Sequence, residues 1–143
     1  CARAGDVVAA AHAGWRGLAA GVLEATVAAM RTHPCGLMAW LGPCIGPSAF
    51  EVGPEVREAF CTRAPRPDVV GVEACFRPAP RRGHFLADLQ GLARQRLAAL
   101  GLRYIVADER CTATAPHSFF SYRRDGPCTE PRQPDRRQNA ETG

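Results

Sequence analysis

The sequence predicts a mixed α/β (α+β) fold in one domain. Three observations predict it. Short apolar runs at Val7–Ala11, Met38–Leu41 and Tyr104–Ala107 have the length of buried strands. Between them, apolar residues recur at helical spacing. The resulting order of strand, helix, strand, helix, helix, strand interleaves the two element types. A chain of 143 residues, 46% of them apolar, is sized for a single domain with a real core.

Each element has its own signal. Val7–Ala11 leads into a turn, His12-Ala13-Gly14-Trp15-Arg16-Gly17. Leu18, Val22, Ala25, Ala29 and Met30 then line one face of a helix, with Glu24 and Arg31 off the stripe and Pro34 and Gly36 ending it. After the Met38–Leu41 strand, Gly42-Pro43-Cys44-Ile45-Gly46-Pro47 is too rich in Gly and Pro for a regular element, so it is a shaped loop. Pro54 suits the first turn of a short helix running to about Cys61, with Val56 and Phe60 four apart. Residues 63–83 hold four prolines and many arginines and read as an irregular, exposed connection. Leu86, Leu89, Ala93, Leu97 and Leu100 define an amphipathic helix that Gly101 stops. A strand at Tyr104–Ala107 and a loop over Cys111–Asp125 follow. From Gly126 the apolar period is lost, and 127–143 is expected to be a disordered polar tail after a domain of residues 1–126.

Composition excludes several classes. No stretch approaches 18 uncharged apolar residues, so no membrane span is expected. The net charge is +4 and all 18 basic residues are Arg, a usage that fits GC-rich codon bias. A nucleic-acid surface needs Arg gathered on one face with exposed aromatics; here Arg is scattered apart from pairs at 81–82, 123–124 and 136–137. Seven cysteines occur as singletons with no CxxC pair, which reads as reduced thiols in a cytoplasmic protein.

The residues able to carry chemistry each have a plainer alternative. His12 follows a strand, where an imidazole is a metal ligand, an acid or base, or a structural residue. Arg16, at a helix start, could hold an anionic group or make a surface ion pair. Cys44 is a nucleophile if a base lowers its pKa, and otherwise a packed thiol. Cys111 and Thr112 lie just past a strand end, where they could meet a substrate or simply pack. Phe119, Phe120 and Tyr122 could stack on a flat base while Arg123 or Arg124 binds phosphate; core packing and ion pairs explain them equally. His33, His84 and His117 read as helix-end, capping or surface residues, and no P-loop or GxGxxG occurs.

Four segments then carry a resemblance. HAGWRGLAAGVLEATV, AWLGPCIGPSAFEVGPEVREAF, FLADLQGLARQRL and CTATAPHSFFSYRRDG, in that order over residues 1–126, resemble the YfiH or laccase-domain family. The resemblance implies a layered α/β/β/α fold with mixed sheets. It implies one zinc held by a His, a Cys and a second His. It also implies an enzyme that splits purine nucleosides with phosphate and deaminates adenosine, under an older label of copper-linked polyphenol oxidoreductase. By position, His12 matches the last zinc ligand, and Arg16 is expected to bind phosphate, followed by Arg123 or Arg124, with Cys111 and Thr112 nearby. The family's other two ligands lie in Val-His-Gly and Asp-Cys-Leu-Pro blocks upstream of the matching region, and none of the seven cysteines here takes the ligand position. The family's Thr-Gly-Arg and closing strand are not found after Gly126. The expectation is therefore the C-terminal portion of a zinc-dependent purine nucleoside phosphorylase and adenosine deaminase, incomplete at both ends. Copper chemistry would need several His ligands, and four dispersed His suit it less well. These 143 residues alone are expected to hold zinc weakly and to turn over no nucleoside, as an inactive remnant. Nucleic acid and membrane are not expected partners, and the sequence does not set the oligomeric state.

Overall fold

The computed structural model describes residues 1–62 and 69–127. Its elements are α1 (Trp15–Ala20), α2 (Val22–Ala29), a 3₁₀ turn (Pro34–Gly36), β1 (Met38–Leu41), β2 (Glu51–Val52), α3 (Pro54–Cys61), α4 (Val69–Ala74), β3 (Phe76–Pro78), β4 (Phe85–Ala87), α5 (Leu89–Ala99), β5 (Tyr104–Ala107) and α6 (Tyr122–Asp125). The mixed α/β expectation holds: β1 and β5 pair in parallel, and β2, β4 and β3 form an antiparallel sheet in that order.

The helices follow from their sequences, with two corrections. The single helix expected after the HAGWRG turn is broken at Gly21, whose φ of +96° suits only glycine without strain. Gly21 ends α1, its N–H donating back to the carbonyls of Gly17 and Leu18, and starts α2. The helix expected from Leu86 begins at Leu89, because Asp88 caps it by accepting from the Gly91 N–H at 2.8 Å. Leu86 belongs to β4 instead, opposite Glu51 of β2 and Arg77 of β3. Leu89, Leu92, Ala93 and Leu97 of α5 are buried, and α5 meets α2 through an ion pair of Arg96 and Glu24 at 2.6 Å. Phe60, Leu18, Leu37 and Leu92 sit at the centre of the core.

The strand expected at Val7–Ala11 is not formed. Residues 8–12 are exposed and Val8 is 82% accessible, so the apolar run has no layer to pair with among the described residues. The chain turns sooner, Ala2 bridging to Leu37. The connection expected over 63–83 is corrected too. Residues 63–68 lie outside the described residues, but α4 and β3 follow and bury Val72, Cys75 and Phe76. The expected tail also lies outside them from residue 128 on.

One face of the β1–β5 pair is open. Met38, Trp40, Tyr104 and Val106 alternate outward, with Trp40 67% exposed. Replacing Trp40 with Thr, which keeps strand propensity, is expected to change unfolding free energy by no more than about 0.5 kcal/mol in urea titration. A larger loss would mean that the indole packs in the folded chain.

One buried and one half-buried thiol set an alkaline limit on stability. Burial, with Asp88 adding to it, pushes both Cys44 and Cys75 up to about 11 from an ordinary value of 9.0. The fold favours their neutral form. Below pH 9 that preference is fully present, because both states keep the proton; above it the unfolded chain ionises first. The melting temperature is therefore expected to fall between pH 9 and about 11. The chain has no Lys to blur that window. A Cys44→Ala, Cys75→Ala double variant should flatten the decline, and an unchanged slope would assign it elsewhere.

Candidate functional site

The HAGWRG segment forms the first wall of a cavity of about 500 Å³. Gly14, with extended backbone, precedes α1 and presents Trp15 and Arg16 to the cavity. The Arg16 guanidinium stacks on the Trp15 ring, 4.7 Å from its centroid. His12 folds back at the same turn; a side chain at Gly14 would begin 3.5 Å from its Nε2. The imidazole is exposed.

Three other segments complete the cavity. Glu51 lies on β2, and Glu55 in the first turn of α3 folds its carboxylate over Gly53. Arg81 and His84 come from the turn between β3 and β4, and Arg123 comes from α6. Arg123 is held at its root by donating from Nη1 to the Glu51 carbonyl at 3.0 Å, with its guanidinium 5.4 Å from the Phe50 ring centroid. Among the described residues, ion pairs are made by Arg57, Arg96, Arg110 and Arg124, and by none of Arg16, Arg81 and Arg123. Three guanidiniums thus share one cavity with two carboxylates and an imidazole.

The two arginines of the SYRRDG motif have different surroundings. Arg123 faces the cavity. Arg124 gives each of its five N–H donors to an acceptor: Nε and Nη2 to Asp125, Nη1 to the carbonyls of Thr112 and Ala113, and Nη2 also to that of Phe119. Its role is to clamp the 112–119 loop, and no donor remains for phosphate.

Cys111 and Thr112 do not line this cavity and lie against the Gly/Pro loop. The Thr112 N–H donates to the Cys44 carbonyl at 2.9 Å, and the Gly46 N–H donates to Cys111 Sγ at 3.1 Å. Burial pushes the Cys111 thiol up, but hydrogen bonds from Gly46, Thr114 and Ala113 outweigh it and hold the thiol below its ordinary value. Cys44, at about 11, is a protonated thiol at neutral pH, which favours the packing reading. A second cavity, of about 340 Å³, opens beside this loop between Cys44, Asp88, Arg94 and Arg110.

Of the residues the sequence singles out, Arg16 and Arg123 line this cavity and His12 does not; Glu51, Glu55 and Arg81 were not singled out, and His84, read as a capping or surface residue, lines it. Their available signal was the Arg81-Arg82-Gly83-His84 run between two short β-prone segments, a hairpin-turn composition. No three His, Cys, Asp or Glu side chains come together as a metal-holding group among the described residues.

Residues 1–130 match the family described as multi-copper polyphenol oxidoreductase laccase. The chain belongs to this family. Within it, the chain is 54% identical over 125 residues to purine nucleoside phosphorylase YfiH of Escherichia coli (strain K12), covering 87% of this chain and 49% of that protein. It is 35% identical over 125 residues to adenosine deaminase RL5 from an unknown prokaryotic organism, covering 84% of this chain and 46% of that one. Its fold is similar to the crystal structure of Neisseria meningitidis protein NMB0706, with a TM-score of 0.80 and 50% identity over 88% of this chain and 50% of that one. The chain spans about half the length of each of these laccase-family relatives.

Proposed function

We propose that the chain carries the phosphate-binding part of a purine nucleoside phosphorylase. The observation that carries this reading is the pair Arg16 and Arg123, free of ion pairs among the described residues, on one cavity. Guanidinium forks bind phosphate oxygens in pairs and keep their charge at any working pH. In phosphorolysis a phosphate oxygen bonds to the anomeric carbon as the bond to the purine nitrogen breaks, giving free base and pentose 1-phosphate. Arg16 and Arg123 would hold the phosphate and limit its rotation. The carboxylates of Glu51 and Glu55 are acceptors suited to sugar hydroxyls.

Zinc enters this reading only through His12. One exposed imidazole does not make the three-ligand set of a catalytic zinc site, and no other donors join it among the described residues. Deamination of adenosine is a second activity of the proposed enzyme, supported by the likeness to adenosine deaminase RL5. The copper-oxidase reading has the family's description in its favour, but it needs a cluster of imidazoles. The four histidines belong to four separate segments, and His84 is engaged with the carbonyl of Arg82.

The test is adenosine incubated with the whole enzyme proposed to contain this chain, with and without inorganic phosphate. Phosphate-dependent release of adenine supports phosphorolysis, and phosphate-independent formation of inosine supports the deaminase activity. Oxidation of a phenol with neither product would replace this reading by the copper one.

A further inference from the structure

We infer that the turn between β3 and β4 is a phosphate clamp, with Arg81 and His84 as direct ligands of the anion that Arg16 and Arg123 hold. The inference rests on the phosphorylase reading and adds residues to it.

The turn is built to aim these two side chains together. The Ala79 N–H donates to the His84 carbonyl at 2.9 Å, and the His84 N–H donates to the Arg81 carbonyl at 3.0 Å. Gly83 sits at a φ of +78°, a conformation that closes the turn and that other residues adopt only under strain. Arg81 and His84 both line the cavity, while Arg82 between them does not. The Arg82 carbonyl lies 3.4 Å from His84 Nδ1, and a carbonyl there can only accept. That contact places the proton on Nδ1 of the neutral ring and leaves Nε2 for a ligand.

The cavity's charge asks for an anion. Arg57, Arg96, Arg110 and Arg124 are matched by carboxylates, whereas Arg81, like Arg16 and Arg123, has none within ion-pair distance among the described residues. Three guanidiniums face two carboxylates, an excess of one positive charge. The carboxylates offset part of this charge, and a bound anion would offset the remainder. A tetrahedral dianion has oxygens enough for groups arriving from α1, α6 and the hairpin. The hairpin also belongs to the sheet that carries Glu51, whose carbonyl fixes Arg123. One sheet therefore sets the spacing between both sides of the clamp.

The test uses Trp15 as reporter. The chain has two Trp, and Trp40 is exposed on the β1–β5 face, so Trp40→Phe leaves Trp15 as the single indole. Its emission is titrated with inorganic phosphate, with chloride at matched ionic strength as the control. In this background Arg81→Gln and His84→Gln should each weaken phosphate binding roughly tenfold, the loss expected for one charge-assisted hydrogen bond. Arg81→Lys should fall between wild type and Arg81→Gln, and Arg82→Gln should bind as wild type does. Far-UV circular dichroism confirms that each variant is folded. Phosphate binding in the wild type that is unchanged by Arg81→Gln and His84→Gln overturns the clamp and leaves the phosphorylase reading standing. An absence of any phosphate-specific response in the Trp40→Phe protein overturns both.

Discussion

In the whole phosphorylase proposed to contain this chain, Arg123→Gln is expected to raise the phosphate concentration for half-maximal phosphorolysis at least tenfold, while Arg124→Gln leaves it unchanged and lowers the melting temperature. The two arginines are adjacent and chemically identical, so the contrast tests geometry alone. Arg123 spends one donor on the Glu51 carbonyl and points the rest of its fork at the cavity. Glutamine there cannot replace a bidentate, permanently charged fork. Because the phosphate would be bound similarly before and during reaction, the effect should fall on KM more than on kcat. Arg124 ties α6 to three carbonyls of the 112–119 segment and to Asp125. Its removal takes its donors away from those three carbonyls and frees the loop that follows Cys111. Faster alkylation of Cys111 in Arg124→Gln would report that release directly. If both variants changed KM alike, the assignment of Arg124 to the loop would be wrong.

What the sequence could and could not say follows from the length over which each signal is averaged. α5 and α3 were legible because their apolar residues repeat at three and four positions over at least two turns. β1 and β5 were legible as four-residue apolar runs. The run at Val7–Ala11 looks the same but stays exposed, since an apolar run marks a strand only where a partner strand exists. The β2–β4–β3 sheet was illegible because its strands are two or three residues long, too short to show a period of two. That blind spot hid half of the candidate site. Arg81 and His84 matter through the turn that joins two such strands, and without the pairing they read as surface residues. The SYRRDG motif offered two adjacent guanidiniums but could not separate Arg123 from Arg124. Only the surrounding acceptors do that.

Phe60→Ala is expected to cost about 3–5 kcal/mol of unfolding free energy, the range for emptying an aromatic core position. Phe60 is 1% exposed, the largest side chain so fully enclosed. Its ring lies 6.1 Å from that of Phe76 and 5.5 Å beneath the Arg96 guanidinium, which in turn pairs with Glu24. Removing the ring therefore takes away transfer energy, one aromatic contact and a cation–π contact, and it leaves a cavity between α3, β3 and α5. A domain of this size has a total stability of roughly 5–15 kcal/mol, so the loss is a large share of it. The effect should also travel. Phe76 is the first residue of β3, and Phe76 in turn meets Phe85 of β4 edge-on at 6.4 Å. These two rings brace the base of the hairpin that presents Arg81 and His84. Phe60→Ala should therefore weaken phosphate binding even where the protein remains folded, without touching the cavity itself. Phe60→Leu keeps most of the volume and should cost about 1 kcal/mol, with phosphate affinity near that of wild type. Urea titration measures the first effect and Trp15 emission the second. Equal losses of stability for the Ala and Leu variants would show that the core tolerates the cavity, and phosphate binding preserved in both would show that the hairpin stands without Phe60 behind it.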